Sequence, residues 1–240
     1  VLRPAIIWCD SRAVGEGARI EARIGAVRCR QRLLNLPGNF TAAKLGWVKR
    51  HEPGIYSRIH KMMLPGDYVA WKMTGEMCTT PSGLSEGILW DFCSGEPAAF
   101  VLRACGIPGG LLPAVVPTFS IQGRLTRAAS AELGLPAGIP VGYRAGDQPN
   151  NAWSLRVLKP GEAAVTAGTS AVVYGVTDRM ACDPQSQVNV FAHVNHGEGN
   201  RRHGVLLCVN GAGILNSWLK HQLAAPGGGA LDYSEMNALA

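Results

Sequence analysis

The 240-residue sequence lacks the features that mark several large classes of protein. No apolar run reaches the roughly 18 residues that a membrane-spanning helix needs, and the N-terminus shows no signal-peptide pattern. Charged residues make up only 17% of the chain against 47% hydrophobic residues, which excludes bulk disorder and a coiled coil. No GxGxxG or GxxxxGK[ST] segment occurs, so two well-known nucleotide-binding signatures are absent.

The cysteines also lack a pattern. Seven are present, an odd number, and no CxxC pair occurs. This usage is typical of reduced thiols in a cytosolic protein, so we expect a cytoplasmic location. His193 and His196 have the spacing of a metal pair, but two ligands without a third do not define a metal site. We favour the polar edge of a strand there, and we predict no metal ligands in this chain.

The net charge of +6 is unevenly spread, because seven arginines lie between Arg3 and Arg32. A basic stretch can bind nucleic acid. This one lacks the interleaved aromatic residues that bind single strands, and no DNA-binding motif follows it. A solvated helix face explains the arginines better, so we expect neither a nucleic-acid partner nor a membrane partner.

Helical and strand-like segments follow one another along the chain, which indicates an α/β fold. The apolar run Ala5–Cys9 predicts a buried strand. Helices are predicted from capping residues and periodicity over residues 14–34, 40–51, 65–75, 97–105, 126–133, 150–158 and 211–222. Further strands are predicted over residues 140–143, 163–167, 171–176, 188–194 and 205–209. We predict two domains, 1–154 and 161–240, joined by a linker at residues 155–160.

A polar cluster follows the strand predicted at residues 140–143. Asp147 comes directly after Gly146, with Gln148, Asn150 and Asn151 beside it. A carboxylate at the carboxyl end of a strand lies where α/β proteins bind ligands, and it can accept a proton from a substrate hydroxyl. A simple helix cap is an equally good explanation of Asp147 from the spacing alone.

The turn Gly168-Thr169-Ser170 joins the two strands predicted at residues 163–167 and 171–176. Small residues with free backbone N–H groups can approach a phosphate closely, and the two hydroxyls add donors. An ordinary hairpin turn is the simpler interpretation of three such residues. Its position favours the phosphate-binding interpretation, because the turn follows Asp147 on the other side of the predicted domain boundary.

Several segments, in order along the chain, resemble the FGGY carbohydrate kinases, and most closely the xylulokinases among them. They are residues 2–12 (LRPAIIWCDSR), 39–53 (NFTAAKLGWVKRHEP), 63–76 around Pro65-Gly66-Asp67, and 80–91 ending in Ile88-Leu89-Trp90-Asp91. The resemblance implies the actin/hexokinase-like (ribonuclease H-like) ATPase fold in two domains, both incomplete here. The family's opening Asp-x-Gly-Thr turn, its Met-His-Gly segment and its adenosine loop have no counterpart in this sequence.

The resemblance also implies roles for individual residues. Asp147 falls on the family's catalytic base, Gln148 and Asn150 fall on polar positions of the sugar pocket, and Gly168, Thr169 and Ser170 fall on a phosphate-binding turn. The implied reaction is ATP- and Mg²⁺-dependent phosphorylation of D-xylulose to D-xylulose 5-phosphate. Xylulokinases usually have a glycine-rich segment around the base. This sequence has Arg144-Ala145-Gly146-Asp147-Gln148 there instead. An Asp-Gln pair also occurs in glycerol kinases.

Two alternatives stay open at this point. The substrate could be ribulose, gluconate or glycerol, or the protein could be a non-catalytic sugar-binding or regulatory member of the same fold. The expected partners are a small sugar and ATP, and a homodimer is compatible with the family. Because the segments named above are missing, we expect these 240 residues alone to be inactive.

Overall fold

The computed structural model describes residues 1–223, 229 and 231–239 and shows a mixed α/β chain, with most helices first and the main sheet second. The helices are α1 Val14–Ile24, α2 Ala26–Leu33, α3 Thr41–His51, α4 Pro53–Tyr56, α5 Pro65–Thr74, α6 Pro81–Glu86, α7 Ala99–Cys105, α8 Arg127–Leu133, α9 Asp147–Ser154, α10 Gly213–Gln222 and α11 Tyr233–Leu239. The strands are β1 Cys78–Thr79, β2 Trp90–Asp91, β3 Glu96–Pro97, β4 Ala114–Val115, β5 Ala163–Ala167, β6 Ala171–Thr177, β7 Asn189–Ala192 and β8 His203–Val209. No helix within these described ranges has the length and apolar character needed to cross a bilayer.

Proline, threonine and glycine set helix boundaries where the sequence predicts them. Pro65 opens α5, where a missing N–H costs nothing. The Thr126 side chain accepts a hydrogen bond from the Ala129 N–H and caps α8. Gly106 and Gly134 end α7 and α8 with φ of 62° and 66°, a conformation that favours glycine. These predicted boundaries are confirmed.

The main sheet has four antiparallel strands in the order β5-β6-β8-β7. β5 and β6 form the predicted hairpin, with Ala167 opposite Ala171 on either side of the turn. α9 lies against β5 and covers a small apolar cluster that includes Ala152, Val157 and Tyr174. The hairpin turn is therefore carried on a strand that contacts α9.

The larger core joins the helical part of the chain to the edge strand β7. Helices α1, α2, α3, α6 and α7 enclose it, together with Val190, Phe191 and Ala192 of β7. The buried Asn35 side chain donates to the Val190 carbonyl (2.6 Å) and accepts from the Val190 N–H (2.9 Å). The Ser85 hydroxyl accepts from the Ala192 N–H at 2.8 Å. β7 thus packs into the part predicted as the first domain, while the boundary at residues 155–160 stays a prediction.

Ala5–Cys9 is not a strand, so that prediction is wrong. Most of the segment is exposed, and no described strand runs beside it. The Asp10 N–H bonds to the Ile7 carbonyl at 3.2 Å and closes a turn, and Lys44 Nζ donates to the same carbonyl at 2.7 Å. Apolar composition alone does not make a strand, because the backbone groups need a neighbouring strand to pair with.

The strand predicted at residues 140–143 is reduced to isolated contacts. Single antiparallel bridges join Tyr143 to Phe119 and Pro140 to Arg124. Pro140 has no N–H to offer a ladder, which limits regular pairing. The following helix also differs from its prediction, because it spans Asp147–Ser154 instead of residues 150–158.

Gly17 provides a test of how closely α1 packs. A Cβ at this buried position would lie 1.7 Å from the Gly38 carbonyl oxygen, which is backbone and cannot swing away. We expect Gly17→Ala to cost at least the roughly 1–3 kcal/mol typical of overpacking, or about 2–4 °C in Tm per kcal/mol. Gly15→Ala in the same helix has nothing within 4 Å and should leave Tm unchanged or raise it. Equal Tm values for the two variants, measured by calorimetry, would contradict this packing.

Candidate active site

The sequence around Asp147 explains why α9 begins and ends where it does. Gly146 is the extended N-cap residue, and Asp147 is the first helical residue. Pro149 sits in the first turn, where no intrahelical N–H bond is lost. Arg156 has a left-handed φ of 60°, and the Val157 N–H bonds back to the Ala152 carbonyl at 2.9 Å. This C-terminal cap ends the helix before Val157 enters the small core.

Asp147 lies exposed at the N-terminus of α9. Its Oδ1 accepts a hydrogen bond from the Gln148 N–H (2.8 Å), and its Oδ2 accepts one from Gln148 Nε2 (3.2 Å). Asp147 forms no N-cap hydrogen bond, because Gly146 holds the N-cap position. The geometry leaves the carboxylate open to a ligand.

The next polar residues have different tasks. Asn150 Oδ1 accepts from the Tyr143 hydroxyl (2.5 Å), and its Nδ2 donates to the Ala145 carbonyl (3.0 Å). Asn150 therefore holds the segment that leads to Asp147. Asn151 Nδ2 donates to the Thr166 hydroxyl oxygen at 2.6 Å and links α9 to β5.

A buried ion pair fixes the segment before Asp147. Arg144 Nε donates to Asp67 Oδ1 at 2.9 Å, and both side chains are largely removed from solvent. The same guanidinium also donates to Gln122 Oε1 and to the Cys78 carbonyl. The second oxygen of Asp67 accepts from the Leu64 N–H at the start of α5. Arg144 thereby ties the approach to α9 to α5 and β1.

Glu86, the last residue of α6, lies against Gly146. A Cβ at position 146 would be 2.0 Å from Glu86 Oε1 and 2.3 Å from Oε2, so the carboxyl group in this position requires glycine beside it. Burial, and then the charges of Asp147 and Asp67, raise the pKa of Glu86 to about 8. Burial and the nearby Glu86 raise the pKa of Tyr143 to about 12. A second carboxyl group, protonated at neutral pH, thus stands beside Asp147.

The turn Gly168–Ser170 is exposed and rests on the start of α10. The N–H groups of Gly213 and Ile214 donate to the Gly168 and Thr169 carbonyls at 2.9 and 3.1 Å. Within the described residues, no acceptor is bonded to the N–H of Thr169 or Ser170, and neither hydroxyl forms a hydrogen bond. The Gly168 N–H donates to the Ser170 carbonyl at 2.9 Å, so the unbonded donors of the turn are the N–H groups and hydroxyls of Thr169 and Ser170.

The structure links the two predicted sites through neighbouring elements. Asn151 is four residues after Asp147, about 6 Å along the helix axis, and its partner Thr166 is two residues before Gly168. This hydrogen bond therefore connects the helix that begins at Asp147 to the strand that leads into the turn.

His193 is a buried structural residue. Its Nδ1 accepts from the Tyr174 hydroxyl (3.0 Å), and its Nε2 donates to the Val157 carbonyl (3.0 Å). Burial lowers its pKa to about 4. Both ring nitrogens are occupied, so His193 is unavailable to a metal ion. Throughout the described chain, no group of three or more His, Cys, Asp or Glu side chains is placed to hold a metal.

Sequence reasoning missed Glu86 and Arg144. Glu86 is the single charged residue between Glu76 and Asp91, in a stretch that is otherwise small or apolar. A lone charge in such a stretch signals a special environment. Arg144 carried no comparable signal, because its partners Asp67 and Gln122 are distant in sequence.

Residues 1–152 match the N-terminal domain of the FGGY family of carbohydrate kinases. The chain therefore belongs to this family, as its resemblance predicts. Xylulose kinase of Escherichia coli K12 is 36% identical to it over 194 residues, which make up 80% of this chain and 40% of the relative.

Solved structures agree with the family. The xylulose kinase from Rhodospirillum rubrum is 27% identical with a TM-score of 0.81, and the match covers 91% of this chain and 44% of that one. The gluconate kinase from Lactobacillus acidophilus has a TM-score of 0.83 at 16% identity over 97% of this chain and 46% of that one, a likeness of fold alone. The predicted α/β, actin/hexokinase-like fold is confirmed. The chain spans less than half the length of each of these relatives.

The Arg144–Asp67 pair generates a stability prediction. Arg144→Ala leaves Asp67 buried without its cation, a change that typically costs about 3–5 kcal/mol. The double variant Arg144→Ala/Asp67→Ala should be less destabilised than the sum of the single variants, because it removes both charges. Arg124→Ala serves as the control, since Arg124 is exposed and bonds only to the Gly138 carbonyl. Strictly additive losses in urea unfolding would show that the pair is not coupled.

Glu86 generates a pH prediction. Its folded-state pKa is above the ordinary value, so the folded protein retains a proton that the unfolded chain loses. The stability of the parent protein relative to Glu86→Gln should fall as pH rises from about 4.5 to about 8 and stay constant above that. The difference in Tm between the two proteins, measured from pH 5 to pH 9, tests this. A difference that does not change with pH would contradict a raised pKa.

Proposed function

We propose that the full-length protein transfers the γ-phosphoryl group of ATP to a sugar hydroxyl, with Asp147 as the general base. Two features support this proposal most directly: the exposed carboxylate of Asp147, and the unbonded N–H and O–H groups of Thr169 and Ser170 in the hairpin turn. Family membership supports the reaction class.

Each part of the site has a task in this reaction. The hydroxyl oxygen attacks the γ-phosphorus and forms a new P–O bond, while the bond to the β-phosphate oxygen breaks and ADP leaves. Asp147 accepts the hydroxyl proton. The N–H groups of Thr169 and Ser170 and their hydroxyls donate to phosphate oxygens and stabilise the charge there. Gln148 and Asn150 keep the carboxylate and its helix in position.

ATP enters as its magnesium complex. The described residues offer no cluster of three ligating side chains, so no step is assigned to a metal ion held by this chain. When bound to ATP, Mg²⁺ neutralises part of the phosphate charge. The seven cysteines are free thiols, which suits the reducing cytoplasm that we propose as its location.

D-Xylulose, giving D-xylulose 5-phosphate, is the proposed substrate. The relatives with the printed name xylulose kinase reach 36% identity, whereas the gluconate kinase neighbour is similar in fold alone. Coupled ADP release by the full-length protein should be measured with D-xylulose, ribulose, gluconate and glycerol. We expect the highest kcat/KM with D-xylulose. Sugar binding without ADP release from any of them would instead support a non-catalytic sugar-binding protein.

The role of Asp147 is tested by Asp147→Asn, which keeps the shape and removes the base. We expect kcat to fall by about 10²–10⁴ while sugar binding persists. The exposed Asp178→Asn, away from the site, is the matched control and should retain parental kcat. Turnover by Asp147→Asn within a few-fold of the parent would reject Asp147 as the base.

The role of the turn is tested by Thr169→Val, which removes one hydroxyl and preserves the side-chain shape. The KM for ATP should rise several-fold while the KM for the sugar stays nearly constant, because the turn contacts phosphate in this proposal. Initial rates with each substrate varied in turn give both constants. An equal rise in the two would indicate a folding effect instead of a nucleotide contact.

A further inference from the structure

Glu86 lies against Gly146, the residue directly before Asp147. The Glu86 carboxylate packs on Gly146, whose missing Cβ leaves the space that the two oxygens occupy. Asp147 is the next residue along the chain. The architecture thus places a second carboxyl group directly beside the proposed base, from a different helix, α6.

The Glu86 carboxyl group has no structural partner in the part of the chain that the structure describes. Neither oxygen forms a hydrogen bond or an ion pair there, and the residue is half-buried. Arg144, two residues before Gly146, is committed to Asp67, Gln122 and the Cys78 carbonyl. Both Glu86 oxygens are therefore free to bind a ligand beside Gly146.

The charged groups near Glu86 are the acids Asp147 and Asp67, and their negative charges favour the protonated form of Glu86. Asp147 and Asp67 raise its pKa together with burial, and its charge in turn raises the pKa of Tyr143 and of Tyr174. With a pKa of about 8, Glu86 carries its proton at pH 7 and can donate a hydrogen bond, whereas ionised Asp147 can only accept one. The neutral group also adds no negative charge where a phosphoryl group arrives.

We propose that Glu86 is a substrate-binding, specificity-determining residue that donates a hydrogen bond from its carboxyl O–H to a sugar hydroxyl next to the one that Asp147 deprotonates. This inference rests on the proposed function. A sugar fits this pair because it carries neighbouring hydroxyls. One hydroxyl can donate to the Asp147 carboxylate while the next accepts from the Glu86 O–H. Ionised Glu86 could not donate, so sugar binding should weaken as pH rises through about 8.

The experiment measures the Kd of D-xylulose by calorimetry, without ATP, from pH 6.5 to pH 9.5 in the full-length protein. Glu86→Gln keeps a donor at every pH, Glu86→Leu has none, and Glu76→Gln is the control because Glu76 is exposed. We expect the parent and Glu76→Gln to lose about ten-fold in affinity between pH 7 and pH 9. Glu86→Gln should bind with a Kd independent of pH, and Glu86→Leu should bind about ten-fold more weakly than the parent at pH 7.

The outcomes separate this inference from the proposed function. If the parent phosphorylates D-xylulose but Glu86→Gln shows the same alkaline weakening as the parent, Glu86 does not contact the sugar and only this inference is overturned. Should Glu86→Leu fail to fold, the comparison of the parent with Glu86→Gln still decides. If the parent neither binds nor phosphorylates any sugar of the panel, the proposed function is overturned and this inference with it.

Discussion

The position of Asp147 depends on a buried ion pair three residues earlier. Arg144 reaches Asp67 on α5, and its other donors reach Gln122 and the Cys78 carbonyl. The segment between residues 140 and 146 has little regular strand pairing of its own, so these contacts hold it in place. A buried charge that lost its partner would be costly, and the pair therefore specifies one arrangement of the chain before α9.

Close packing around Gly146 completes the site. Glycine here lets the Glu86 carboxylate approach the backbone, and Asp147 then begins a helix whose first turn tolerates Pro149. Beyond it, Asn151 joins α9 to β5 and sets the helix beside the strand that leads to the turn at Gly168. The carboxylate and the free donors of the turn therefore derive from separate elements that one hydrogen bond and a small core hold together.

Local signals in the sequence predicted much of this arrangement. Thr126, Gly106 and Gly134 mark helix ends through capping and left-handed φ, which depend on nearby residues alone. The resemblance to the FGGY kinases correctly predicted the family and the fold. The roles of Asp147, Gln148, Asn150 and of Gly168–Ser170 stay predictions.

Features that depend on distant partners were missed or wrong. Ala5–Cys9 has strand-like composition but no described neighbour to pair with, and it forms a turn at Ile7–Asp10 instead. Arg144 acquires its role from partners far away in sequence, so no local pattern reveals it, whereas the isolated charge of Glu86 is a local signal of a special environment. The predicted helix over residues 150–158 begins three residues earlier, at Asp147, because Pro149 is tolerated in the first turn.

A crystal structure of the full-length protein with D-xylulose and a non-hydrolysable ATP analogue would test directly whether Asp147 is the base. We expect a sugar hydroxyl oxygen roughly 2.6–3.2 Å from an Asp147 carboxylate oxygen and in line with the γ-phosphorus. We also expect phosphate oxygens within hydrogen-bonding distance of the Thr169 and Ser170 N–H groups. A sugar bound away from Asp147, with that carboxylate contacting only solvent and Gln148, would contradict this role.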